Sequence, residues 1–121
     1  MTHKIIAVDF DGTLCENKYP EIGEANRRLA GYLKCQQSLF GAKLILWTCR
    51  TDERLTEAVT WCHDKLGLVF DAVNDNLPEA IGEFGHNTRK IFAHEYIDDR
   101  MSTKFKLPFK RRKKNGRCKK V

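Results

Sequence analysis

The sequence predicts an α/β protein built on an open parallel sheet, and three observations predict it. Short apolar runs such as Ile5-Ile6-Ala7-Val8 and Leu44-Ile45-Leu46 end abruptly in polar residues, as strands buried on both faces do. Between them lie longer stretches whose apolar residues recur every three or four positions, the period of a helix with one buried face. The two kinds alternate, which argues for strand–helix–strand crossovers rather than a meander.

Taken in order, Lys4 to Val8 is the first strand and runs into Asp9-Phe10-Asp11-Gly12-Thr13. From Glu21 to Phe40, Ile22, Ala25, Leu29, Leu33 and Phe40 follow helical spacing. Glu21 and Glu24 suit the positive end of that helix, and Gly41 stops it. Lys43 to Trp47 is the second strand, closing at Thr48-Cys49-Arg50, with Trp47 and Trp61 read as core. Thr51 or Asp52 caps a second helix whose stripe of Leu55, Ala58, Val59, Cys62 and Leu66 ends at Gly67. Val69 to Val73 is a third strand, Asn74 to Pro78 a turn, Gly82 to Lys90 a loop, and His94 to Ile97 a strand delivering Asp98-Asp99. The sum is a doubly wound, three-layer α/β/α, Rossmann-like sheet.

The 121 residues suit one domain, and 41% hydrophobic residues suffice for a core. No window approaches a membrane span or a signal peptide, so the expected location is cytoplasmic. Five scattered cysteines without a C-x-x-C pair point to reduced thiols, and the four histidines share no metal-ligand spacing with them. The net charge of +6 is unevenly spread. Residues 101–121 hold ten lysines and arginines and no acid, which leaves twelve basic residues against all sixteen acids, a net of −4, in the first hundred. The expected division is a folded body over 1–109, with Phe105, Leu107 and Phe109 as an edge strand, and a solvated basic tail over 110–121.

Asp9 and Asp11, Thr48, and Asp98 and Asp99 all stand where apolar strands end. In an open parallel sheet the carboxyl ends of neighbouring strands form the crevice that binds ligands, so these residues are expected to converge. Residues i and i+2 of an extended segment project to one side, roughly 7 Å apart, which lets Asp9 and Asp11 bracket one phosphoryl group. Carboxylates gathered this closely call for a hard divalent cation with oxygen ligands, and Mg²⁺ suits a phosphate substrate.

Asp9-Phe10-Asp11-Gly12-Thr13-Leu14 resembles the first motif of the haloacid dehalogenase superfamily, and Ile45-Leu46-Trp47-Thr48 resembles its second. Lys90, followed by Tyr96-Ile97-Asp98-Asp99, resembles the third and fourth. The resemblance implies a phosphohydrolase in which Asp9 is nucleophile and magnesium ligand, and Asp11 is general acid and base and gives its backbone carbonyl to the metal. It implies that Thr48 binds a phosphoryl oxygen, that Lys90 neutralises the charge on Asp9, and that Asp98, with Asp99 in or just behind the shell, completes the Mg²⁺ site. Backbone N–H groups of Phe10, Asp11 and Cys49 are expected to face the phosphate. An Asp at position 11 favours phosphatase over dehalogenase chemistry, and the short connections after Asp11 and before Lys90 imply that no cap domain is present. Within the superfamily, Phe70-Asp71-Ala72-Val73-Asn74-Asp75-Asn76-Leu77-Pro78, with the Ile97-Asp98-Asp99 ending, resembles small bacterial and phage hydrolases.

Outside that resemblance, Lys90 and its neighbour Arg89 read equally as solvated loop cations. Arg50 has two readings, a bidentate phosphate ligand or a surface partner of Asp52 or Glu53. The expected substrate is a phosphorylated small molecule, with a homo-oligomer roofing the open site as an option. One alternative keeps the chemistry but acts on a nucleic-acid terminal phosphate, with the basic tail as electrostatic tether. The other is a catalytically silent module that binds phosphate or nucleic acid.

Overall fold

The computed structural model describes residues 3–102. The edge strand expected at Phe105–Phe109 and the basic tail lie outside the described residues. Among the described residues four strands form a parallel sheet in the order β5-β4-β1-β6: β1 (Ile5–Val8), β4 (Lys43–Leu46), β5 (Ala72–Val73) and β6 (Glu95–Ile97). After β1 the chain builds outward through β4 to β5, then returns to lay β6 on the other flank of β1. β1 therefore sits where the strand order reverses, and the crevice at its carboxyl end is the expected ligand position in such sheets.

Alternation along the strands sorts the core into two faces. Ile6, Val8, Leu44 and Leu46 pack with Ala30 and Leu33 of helix α1 (Arg27–Phe40) and Ala58 of helix α2 (Asp52–Trp61). Ile5, Ala7 and Ile45 point the other way, onto Leu77, Ile91 and Ala93. Helix α2 widens into a π-helical turn over Cys62–Leu66 before Gly67 ends it. Among the described residues no helix is long and apolar enough to cross a membrane. Cys15, Cys35, Cys49 and Cys62 are free thiols, and burial raises those of Cys15 and Cys62, the latter to about 12.

Four expectations are corrected. Residues 21–25 are not the first helical turns but strand β3 (Glu21–Ala25), antiparallel to β2 (Cys15–Lys18). Gly23 decides this locally, because a Cβ there would collide with the backbone carbonyl of Glu16 across the hairpin. Helix α1 instead starts after its N-cap Asn26, whose Oδ1 accepts from Leu29 N at 3.1 Å while its amide donates to the Thr13 carbonyl at 2.9 Å. Its first turn accordingly holds no acid.

The third strand is shorter than Val69–Val73: Val69 is exposed, and pairing with β4 is confined to Ala72 and Val73. Residues 78–84, read as the end of a turn and the start of a loop, form helix α3 (Pro78–Phe84), with proline in its first turn and Gly85 at its C-cap. Thr51 stands at the N-cap of α2 without a side-chain capping bond.

Candidate active site

The β1 ladder continues one residue beyond the strand on each side. Asp9 N donates to Ile97 O, and Trp47 N donates to Val8 O, both at 2.9 Å. These bonds bring the ends of β1, β4 and β6 level and hold Asp9, Thr48 and Asp98 at one rim. Past Asp9 the chain leaves the extended path. Thr13 N and Leu14 N both donate to the Phe10 carbonyl, and Gly12 takes φ +83°. A Cβ at Gly12 would collide with the Asp99 carboxylate, so glycine is what lets that acid lie against the turn.

One carboxylate oxygen from each of Asp9, Asp98 and Asp99 comes within 4.8 Å of the other two. Asp98 Oδ1 also accepts from Arg100 N at 2.8 Å, which fixes the turn after β6. Burial pushes the Asp9 carboxyl up to about 7, and the charges of Asp98 and Asp99 add to the rise, while the Phe10 N–H bonded to Asp9 Oδ1 at 2.8 Å opposes it. That bond occupies the Phe10 N–H, which was expected to face a phosphate. Three hard oxygens with mutually unfavourable charges fit the donor set of a divalent cation such as Mg²⁺.

Asp11 does not share this surrounding. The turn aims its carboxylate at Arg50, whose Nε donates to Oδ2 and Nη2 to Oδ1, each at 2.8 Å. Arg50 is only 2% exposed. Its Nη2 donates also to Glu21 O of the hairpin at 2.9 Å, and its guanidinium lies 4.9 Å from the centre of the Phe10 ring and 5.0 Å from that of Tyr19. The pair with Asp11 raises the Arg50 pKa further. Neither Asp52 nor Glu53 is its partner, contrary to the surface reading.

Asp9, Asp11, Thr48, Arg50, Asp98 and Asp99 all line one cavity of about 870 Å³. Thr48 is fixed from two sides: its N–H donates to Asn74 Oδ1 at 2.8 Å, and its Oγ1 accepts from Arg50 N at 3.2 Å.

A solved structure, that of a conserved protein from Bacteroides thetaiotaomicron, is 43% identical to this chain, with a TM-score of 0.71 over 82% of this chain and 78% of that one. This chain belongs to the family of that conserved protein. No protein-family model matches the sequence, and neither does any curated protein.

In this member of the family, the sequence-predicted residues Asp9, Asp11, Thr48, Cys49, Arg50, Asp98 and Asp99 come together. Lys90 does not join them. Its Nζ lies over the Tyr96 ring, 5.3 Å from the centroid, and it lines a separate cavity of about 450 Å³ with Phe84, Ile91 and Phe92. The cations that line the cavity holding Asp9 are Arg50 and Arg100 among the described residues.

Residues that sequence reasoning did not single out also border it: Asn17, Tyr19, Trp47, Asn74 and Arg100. Trp47 was expected in the core, yet it is 36% exposed. A usable signal existed for Asn74, since a left-handed residue, φ +55° here, is favoured at Asn in a turn of the Asn-Asp-Asn type.

Proposed function

We propose that this chain is a Mg²⁺-dependent phosphomonoesterase of haloacid dehalogenase type, acting through an aspartyl-phosphate on Asp9. The observation that carries the reading is the convergence of Asp9, Asp98 and Asp99 at the carboxyl ends of β1 and β6, in the cavity that Asp11 and Thr48 also line. The same reading takes the fold as the three-layer, capless form, with the β2–β3 hairpin as the insertion after Asp11, and places the enzyme in the cytoplasm.

Asp9, Asp98 and Asp99 would hold the cation, which supplies charge neutralisation and Lewis acidity to the phosphoryl oxygens. Asp9 is the nucleophile. One of its oxygens bonds to phosphorus as the phosphorus–alkoxide bond breaks, and the leaving oxygen takes a proton from Asp11. Asp11 then accepts a proton from water as the water oxygen bonds to phosphorus, and the Asp9–phosphorus bond breaks to release inorganic phosphate. Thr48 Oγ1 donates to a phosphoryl oxygen.

Both oxygens of Asp11 are held by Arg50 in the resting arrangement, so the proton transfers require Asp11 to give up at least one of those bonds. Arg50 is a positioning residue in this scheme, keeping Asp11 at the rim and tying it to the hairpin. With Lys90 over Tyr96, the positive side chains lining the cavity are Arg50 and Arg100 among the described residues.

A second reading, a phosphate-binding module without turnover, draws on these same two observations: Asp11 is engaged and Lys90 is elsewhere. One assay separates the two. Phosphate release from p-nitrophenyl phosphate is measured with and without Mg²⁺, for the wild type beside Asp9→Asn. Magnesium-dependent release that the variant lacks supports the esterase, and a folded but inert wild type supports the module.

A further inference from the structure

We propose that the phosphate ester this site takes carries a planar, acceptor-bearing ring on its leaving group, as a nucleoside monophosphate does. The inference rests on the phosphomonoesterase reading and names the substrate class for it. Three observations lead there: the size of the cavity, the two rings at its edge and the state of its two amides.

A cavity of about 870 Å³ far exceeds the space a phosphoryl group fills and falls in the range of sites that enclose a ligand of nucleotide size. Trp47 separates the last buried residue of β4, Leu46, from Thr48, the expected phosphoryl contact. Its backbone is fixed by the bond to Val8 O, and its side chain, 36% exposed, borders the cavity. A large ring placed beside a phosphoryl site and left partly in water offers a surface for a flat group.

Tyr19, at the tip of the hairpin, borders the same cavity and is 58% exposed. Arg50 covers one of its faces, with the guanidinium carbon 5.0 Å from the ring centre. That contact holds the ring in place while most of it stays accessible, which lowers the entropic cost of stacking a ligand on it.

The amides narrow the ring chemistry. Asn17 Oδ1 accepts from Tyr19 N at 3.3 Å, and Asn74 Oδ1 accepts from Thr48 N at 2.8 Å. Both amide oxygens are thus used within the protein, and both NH₂ groups donate to no partner among the described residues. What the two amides present is donors, which match the carbonyl and ring-nitrogen acceptors on the edge of a nucleobase. A phenyl ring would use the stacking surface and leave those donors unmatched.

The test uses the full chain with Mg²⁺ and a matched pair of esters, adenosine or uridine 5′-monophosphate against ribose 5-phosphate, which share phosphate and sugar and differ in the base. Phenyl phosphate is the third arm. Stacking contributions of the usual size predict a preference in kcat/KM of at least about tenfold for the nucleotide over ribose 5-phosphate, carried mainly by KM. The nucleotide also outranks phenyl phosphate in KM. Trp47→Leu shrinks the nucleotide-to-ribose-phosphate ratio toward one, and Trp47→Phe keeps most of it.

Equal use of nucleotide and ribose 5-phosphate by an active wild type overturns this inference and leaves the phosphomonoesterase standing. Equal KM for nucleotide and phenyl phosphate, both below ribose 5-phosphate, overturns the nucleobase and leaves only a ring. A folded wild type inert toward all three overturns the esterase reading and this inference with it.

Discussion

Asp9 and Asp11 are two residues apart and line one cavity, yet their surroundings are opposite in character. Asp9 meets Asp98 and Asp99 with no cation paired to it among the described residues, and burial and like charge push its carboxyl up to about 7. Asp11 meets a buried arginine that engages both its oxygens. The difference separates two roles that identical side chains could otherwise exchange. One carboxylate is left in want of a positive ion, and the other carries its own. In the proposed esterase the first would serve as nucleophile and the second as acid/base partner.

The most direct way to break this contrast is Asp9→Asn, which removes the proposed nucleophile and one proposed cation ligand together. Turnover should fall by at least about 10³-fold in the phosphate-release assay, with helix and sheet content retained by circular dichroism. Survival of activity would show that the two aspartates are not divided as argued.

Arg50→Gln attacks the other half. It leaves the Asp11 charge poorly compensated and frees the hairpin from Glu21 O, so stability should drop by about 3 kcal/mol in urea titration, the low end for a broken buried pair. kcat should fall about 10–100-fold. Arg50→Lys should recover stability only in part, because one ammonium does not reproduce the fork. A full recovery by lysine would mean that charge alone matters there.

The third expectation concerns pH. Asp9 has its folded-state carboxyl raised from 3.8 to about 7, so the folded state holds its proton where the unfolded chain has lost it. The stability this contributes is present below pH 3.8 and disappears as pH rises through about 7. Metal-free protein should therefore lose several degrees of melting temperature between pH 5 and 8, and Mg²⁺ should restore more at pH 8 than at pH 5. Asp9→Asn should flatten both trends.

The smallest effect is at Asn74→Ala. It removes the acceptor for Thr48 N and puts a Cβ-bearing, non-amide residue at φ +55°, for a cost of about 1–2 kcal/mol and a modest rise in KM. An unchanged KM would detach Thr48 from phosphate binding.

The parts legible in the sequence were those fixed by burial along a short run. Ile5–Val8 and Leu44–Leu46 announced strands, and their abrupt ends marked Asp9 and Thr48, because a strand covered on both faces leaves no doubt where its apolar run stops. The hairpin was not legible: Cys15-Glu16-Asn17-Lys18 has one buried residue and no alternation, so nothing separated it from a loop. The Arg50 partner was beyond reach for another reason, since Asp11 lies 39 positions away and meets it only through the turn at Gly12. Helix α3 carried readable punctuation in Pro78 and Gly85, but at seven residues its apolar pattern was too short to register.

The sheet order gives the acidic cluster a divided footing. Asp9 follows β1, an inner strand flanked by partners on both sides and fully buried, while Asp98 and Asp99 follow β6, a three-residue strand that is at the sheet edge among the described residues, with β1 as its neighbour. Local opening reaches edges first and inner strands last. The three carboxylates are thus together only while β6 is docked, and a cation held among them would clasp the edge strand to the centre of the sheet. Slowed amide exchange in β6, with little change in β1, is the mark such a clasp would leave, so the affinity for the ion and the closure of the sheet are two readings of one equilibrium.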